Sequence, residues 1–102
     1  MGKFVLIYKG GAAPTSEEEG AKVMEAWMGW FGTLGAAVID GGNPFGESTA
    51  VASDGSITAA TSGLGGYSVV SAESLTAAAA LAKGCPILAA GGSVEVYEAH
   101  EM

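Results

Sequence analysis

One cysteine, one histidine and four lysines or arginines are all that 102 residues contain of those types, against eleven acidic residues. Each scarcity excludes something. A lone Cys85 rules out an internal disulfide and suits a reducing compartment. It precedes Pro86 at an expected helix end, so a small packing residue is the plainer reading and a reactive thiol the lesser one. His100 stands in Glu98-Ala99-His100-Glu101 at the chain end. One imidazole and loosely held carboxylates are too few fixed ligands for a metal centre. Without a second histidine a haem enzyme is also disfavoured, so no cofactor and no metal are expected. A net charge of −7 leaves no basic patch to neutralise phosphates, so nucleic acid is not an expected partner. No apolar run reaches the length of a membrane span, and Phe4 to Ile7 is too short for the core of a secretory signal. The expectation is a cytoplasmic protein with no membrane partner.

What is abundant is glycine, 17 residues, and hydrophobic side chains, 49% of the chain. The second argues against disorder and the first for many tight turns or close backbone approaches. The length fits a single domain over residues 1–102.

The clearest punctuation lies between Gly66 and Tyr97. Tyr67 to Val70 is β-branched and aromatic after a glycine run, as a strand should be. Ser74 can cap a helix whose body, Thr76 to Lys83, is nearly all alanine and leucine. Gly84 suits a left-handed position after that helix, and Pro86 forbids its continuation. Gly91-Gly92 then releases a strand, Ser93 to Glu98. Val94 and Val96 share one face of it, Glu95 and Tyr97 the other.

Lys3 to Lys9 predicts the first strand. Phe4, Leu6 and Tyr8 point one way, Val5 and Ile7 the other. Both faces are apolar, so this strand should be central and covered on both sides. Ser16 and Glu19 form a capping box at the start of a helix over Glu17 to Leu34. Val23, Met24, Trp27, Met28, Trp30, Phe31 and Leu34 fall on one stripe, which reads as core. Trp30, at the stripe's edge, is the residue expected to line a cleft. Gly35 ends the helix. Ala36 to Ile39 is a short strand, and Asp40 to Gly46 a loop dense in residues that bend the backbone. Ser48 to Ser53 and Ser56 to Ala60 flank Asp54-Gly55, the signal of a two-residue hairpin, read as an extension of the sheet.

Without the hairpin the order is βαββαβ, so the predicted class is α+β, ferredoxin-like, with an extra β-hairpin. Two helices cover one face of such a sheet. The two-sided first strand therefore predicts a homodimer, with a second copy on the open face.

These residues resemble a family. Gly66-Tyr67, Ser71-Ala72-Glu73-Ser74-Leu75, Ala82 to Pro86 and Gly91 to Val96 are similar to the YCII-related proteins, in particular the DGPF-domain branch. Lys3 to Tyr8, the tryptophan-containing helix and Gly41-Gly42 extend the likeness over nearly the whole chain. The resemblance implies a bacterial protein with a ferredoxin-like fold, assembled as a dimeric α/β barrel, with a cleft between sheet and loops. Many of its members carry a His in the first helix and an Asp near its end, a proposed acid–base pair. Here that helix ends Gly32-Thr33-Leu34-Gly35, and Thr58 to Leu64 stands where Asp-Gly-Pro-Phe would fall.

Around the cleft the sequence suggests Asp40 as a general acid or base, and Trp30, Asn43, Glu47, Ser62, Tyr67 and Tyr97 as ligand contacts. Asp40 and Asn43 have a second reading, side chains that cap their own turn. Glu95 and Tyr97 are either dimer-face or cleft residues. Two functions stay open: a small-molecule binding module, or a cofactor-independent isomerase, lyase or monooxygenase using Asp40.

Overall fold

The computed structural model describes residues 1–101. Six strands and two helices follow in the order β1 (Gly2–Lys9), α1 (Glu17–Leu34), β2 (Val38–Asp40), β3 (Ala50–Val51), β4 (Ile57–Thr58), β5 (Leu64–Ala72), α2 (Leu75–Ala82) and β6 (Ser93–Ala99). Four strands form one antiparallel sheet in the order β2-β5-β1-β6. That order is the ferredoxin-like α+β arrangement, with β1 and β5 at the centre.

Alternation along β1 sorts its side chains. Phe4, Leu6 and Tyr8 are buried, and their partners on β5, Val70 and Ser68, are buried with them. Both helices pack on this face: Trp30 of α1 and Ala78 and Ala82 of α2 complete the core, with Cys85 beside them. Val5, Ile7 and Val69 point to the other face, which neither α1 nor α2 covers. The apolar second face of β1 is thus left open within one chain.

Ser16 caps α1, its side-chain oxygen accepting from the Glu19 N–H at 3.1 Å. The Glu19 carboxylate closes the turn one residue earlier than the capping-box pattern, accepting from Thr15 Oγ1 at 2.6 Å and Thr15 N–H at 3.3 Å. Those bonds hold its carboxyl below the usual range. The apolar stripe of α1 is not all core. Trp30 is its one buried residue; Val23, Met24 and Met28 are exposed, and Trp27, Phe31 and Leu34 are half-buried. The helix meets the core through its last turns, and its first half stands off the sheet.

Four further expectations need correction. Gly84 does not adopt a left-handed conformation. It is small because a Cβ there would meet Trp30 Cδ1 at 3.1 Å. Ala36 and Ala37 form a 3-10 turn, so β2 begins at Val38. The hairpin β3–β4 is a separate two-stranded sheet, not an extension of the main one. Its tip has three residues, not two. Ala52 N–H bonds Ser56 O, Gly55 N–H bonds Ala52 O, and Gly55 takes φ +89°. Its two large apolar side chains, Val51 and Ile57, do not pack onto the main sheet and remain exposed.

Candidate functional site

A cavity of about 490 Å³ opens where the first half of α1 stands off the sheet. Its walls are Trp27, Phe31, Val23 and Met24 from α1, and Ile87 from the turn after α2. Its floor is Tyr8 at the end of β1 and Ser68 on β5. The rim is the backbone of Gly41 to Pro44 and of Gly65 and Gly66.

The rim is fixed by backbone pairing. Asn43 O accepts from Tyr67 N–H at 3.3 Å, and Phe45 N–H donates to Gly65 O at 2.9 Å. Gly42 has φ +74°, and a Cβ on it would overlap the Tyr67 carbonyl. Only glycine lets this loop lie against β5.

The floor is polar inside an apolar setting. Tyr8 Oη and Ser68 Oγ are 2.7 Å apart, and Ser68 Oγ donates to Gly41 O at 2.7 Å. Ser68 is the buried polar side chain of the core, and the two bonds satisfy it. The Tyr8 ring meets Trp27 edge-on, centroids 5.0 Å apart, and Trp27 in turn meets Phe31 at 6.0 Å. Burial pushes the Tyr8 phenol up to about 12, against a smaller lowering from the Ser68 bond. Tyr8 therefore stays protonated at neutral pH.

Two of the residues suggested by the sequence, Asn43 and Tyr67, line the cavity. Asn43 does so from the rim, where its carbonyl is committed to Tyr67. Tyr67 pairs with Ile7 on the open face of the sheet and stacks on Phe45 with centroids 5.8 Å apart. Trp30 does not line the cavity. It is buried, and its indole N–H donates to Leu81 O at 3.1 Å. Asp40 is exposed and accepts from Gly42 N–H at 2.8 Å, the turn-capping arrangement. Glu47 and Ser62 are exposed and do not line the cavity. Tyr97 is exposed on β6 and donates to Glu95 Oε1 at 2.8 Å. That bond, with Lys9 Nζ at 3.2 Å, lowers the Glu95 carboxyl.

Among the described residues no charged side chain lines the cavity, and no group of three or more His, Cys, Asp or Glu gathers as a metal site would require. His100 lies 3.5 Å from Glu98 in solvent. Sequence reasoning passed over Tyr8 and Ser68. A signal existed: Ser68 interrupts the apolar side of β5 between Gly66 and Val70, and a hydroxyl on a buried face needs a partner.

Residues 3–102 match the profile of the YCII-related domain. The chain belongs to the YCII-related family. No curated protein matches it. Among solved structures it is similar to 5-chloro-2-hydroxyhydroquinone dehydrochlorinase (TftG) from Burkholderia phenoliruptrix, in complex with 2,5-dihydroxybenzoquinone. Identity is 20%, the match covers 97% of this chain and 95% of that one, and the TM-score is 0.58. At that identity the likeness carries the fold, which this YCII-related chain shares. No helix among the described residues is long and apolar enough to cross a membrane.

Proposed function

We propose that the protein binds a small, uncharged aromatic molecule in the cleft between α1 and the sheet. The carrying observation is the lining. Trp27, Phe31 and Tyr8 present aromatic surface to the cavity, and among the described residues no ionised side chain faces it. Apolar walls with a few convergent polar atoms are the usual make-up of a small-molecule site. A charged ligand would lose its hydration there without a counter-charge. The ligand of TftG, a planar six-membered ring, supports the size and shape in this reading.

The competing reading is a cofactor-independent isomerase, lyase or monooxygenase with Asp40 as acid or base. It has less support. The Asp40 carboxylate is exposed, holds the Gly42 N–H, and does not line the cavity.

The working unit is a homodimer joined through the open sheet face. Val5, Ile7 and Val69 lie there, and so do Lys3 and Lys9 at the two ends of β1. Glu95 shares the face and neutralises Lys9, so the face carries little net charge, and a chain of net charge −7 repels its copy less there than elsewhere. A cytoplasmic setting suits the buried free thiol of Cys85, whose pKa burial raises.

Calorimetric titration with neutral, anionic and cationic aromatic probes tests the binding reading. Neutral probes should bind, and Trp27→Ala should abolish the heat. Binding undiminished in Trp27→Ala, or confined to the charged probes, would reject this cleft.

A further inference from the structure

We propose that the cleft selects a ligand that donates a hydrogen bond, a phenol or another planar hydroxyl compound, because its polar floor has no proton left to give. This rests on the reading of the cleft as a small-molecule site.

The inference follows from counting hydrogens. The Gly41 carbonyl can only accept, so the Ser68 hydroxyl must spend its one proton on it across 2.7 Å. The 2.7 Å contact between Tyr8 Oη and Ser68 Oγ then needs a proton from the other side, and the Tyr8 hydroxyl is the sole source. Both protons are committed in one direction, Tyr8 to Ser68 to Gly41. What Tyr8 still offers the cavity is an oxygen lone pair. Burial keeps the phenol protonated far above neutral pH, so the chain does not reverse by ionisation.

Backbone N–H groups of the rim beside that floor are taken, and the donors the lining keeps, the Trp27 indole and the Asn43 amide, belong to the wall and the rim. The Gly42 N–H is held by Asp40, and the Tyr67 N–H by Asn43 O. At the floor, a ligand whose polar group only accepts, such as an ether, would strand its oxygen against the Tyr8 lone pair and lose its hydrogen bonds to water. A hydroxyl of the same shape donates to Tyr8 Oη. A site that hydrogen-bonds a hydroxyl discriminates strongly against the analogue that lacks it.

The test compares 2-naphthol with its methyl ether, 2-methoxynaphthalene, by calorimetry on the whole chain. The expected result is naphthol binding about tenfold or more tighter than the ether, the worth of one hydrogen bond in a dry site. Tyr8→Phe keeps the ring and removes the oxygen, so naphthol should fall to the level of the ether. Ser68→Ala frees the Tyr8 proton and should raise the affinity for the ether. That variant carries the test if circular dichroism shows Tyr8→Phe unfolded. Equal affinities in the wild type overturn the proposal while leaving an aromatic cleft standing. A preference that persists in Tyr8→Phe overturns it too, because the acceptor then lies elsewhere or the ether's methyl group clashes. If neither compound binds, both the donor selection and the cleft reading fall.

Discussion

The indole N–H of Trp30 donates to the carbonyl oxygen of Leu81 at 3.1 Å, a bond that pins α1 to α2. Gly84 makes room for the same ring. Three residues earlier on the helix, Trp27 faces the cavity instead. The two tryptophans thus serve different ends, one the core and one the cleft.

Substitution should separate them. Trp30→Ala empties a core site and should cost about 3–5 kcal/mol. Trp30→Phe keeps most of the ring and should cost about 1–3 kcal/mol, for the smaller ring and the lost bond to Leu81 O, which keeps the Gly84 N–H. Trp27→Ala should shift the denaturation midpoint much less and remove aromatic binding. Urea melts paired with calorimetric titration check all three. Equal destabilisation by the two alanine variants would contradict the division.

Tyr8 should make stability fall in alkali. Its phenol is raised by burial from 10.0 to about 12, so the folded chain holds that proton where the unfolded chain has lost it. A raised pKa contributes stability that is complete below the unfolded value. The contribution should fade between about pH 10 and pH 12. Phenolate absorbance should show late-titrating tyrosine in the folded protein, reduced in Tyr8→Phe to the part that Tyr97, raised by its bond to Glu95, supplies. Stability of that variant should decline less steeply over the same range. A wild-type curve parallel to that of Tyr8→Phe would refute the assignment.

The loop that rims the cleft depends on Gly42 and Asp40 in unequal degree. Gly42→Ala adds a Cβ into the Tyr67 carbonyl at φ +74° and should detach the loop from β5. The melting temperature should drop and ligand affinity with it. Asp40→Asn keeps an oxygen for the Gly42 N–H, so folding and binding should survive. A loss of turnover in Asp40→Asn with an unchanged melting temperature would restore the catalytic reading of that carboxylate.

Local rules carried the fold and stopped short of the site. Ser16 and Ser74 cap the helices they were expected to cap, because N-capping depends on neighbours three residues away. The alternation of Phe4, Leu6 and Tyr8 decides their burial for the same reason. Which part of the α1 stripe is core is not local. It depends on how the helix lies on the sheet, and Trp30 and Trp27 exchanged their expected places through that angle. The Tyr8–Ser68–Gly41 chain joins three segments far apart in sequence, so no spacing rule could find it. Gly84 shows the same limit. Its helix-end position suggested backbone conformation, whereas the ring of Trp30 is the reason.

The open sheet face yields the last prediction. Along β1, Leu6 has no exposed surface, while Val5 and Ile7 keep part of theirs. An aspartate at Leu6 buries a carboxylate without a partner, and the protomer should unfold. Aspartate at Val5 or Ile7 stays in reach of water in the single chain, so the protomer should remain folded. In a dimer joined through this face the same change places two carboxylates in an apolar contact, and association should fail. Light scattering of the wild type at micromolar concentration should give twice the mass of one chain. Val5→Asp and Ile7→Asp should give the monomer, with a native far-ultraviolet spectrum. Lys9→Ala should weaken the dimer less, because its ion pair with Glu95 is partly exposed and surface pairs contribute little. Two results would end the proposal: a monomeric wild type, or a Val5→Asp chain that stays dimeric.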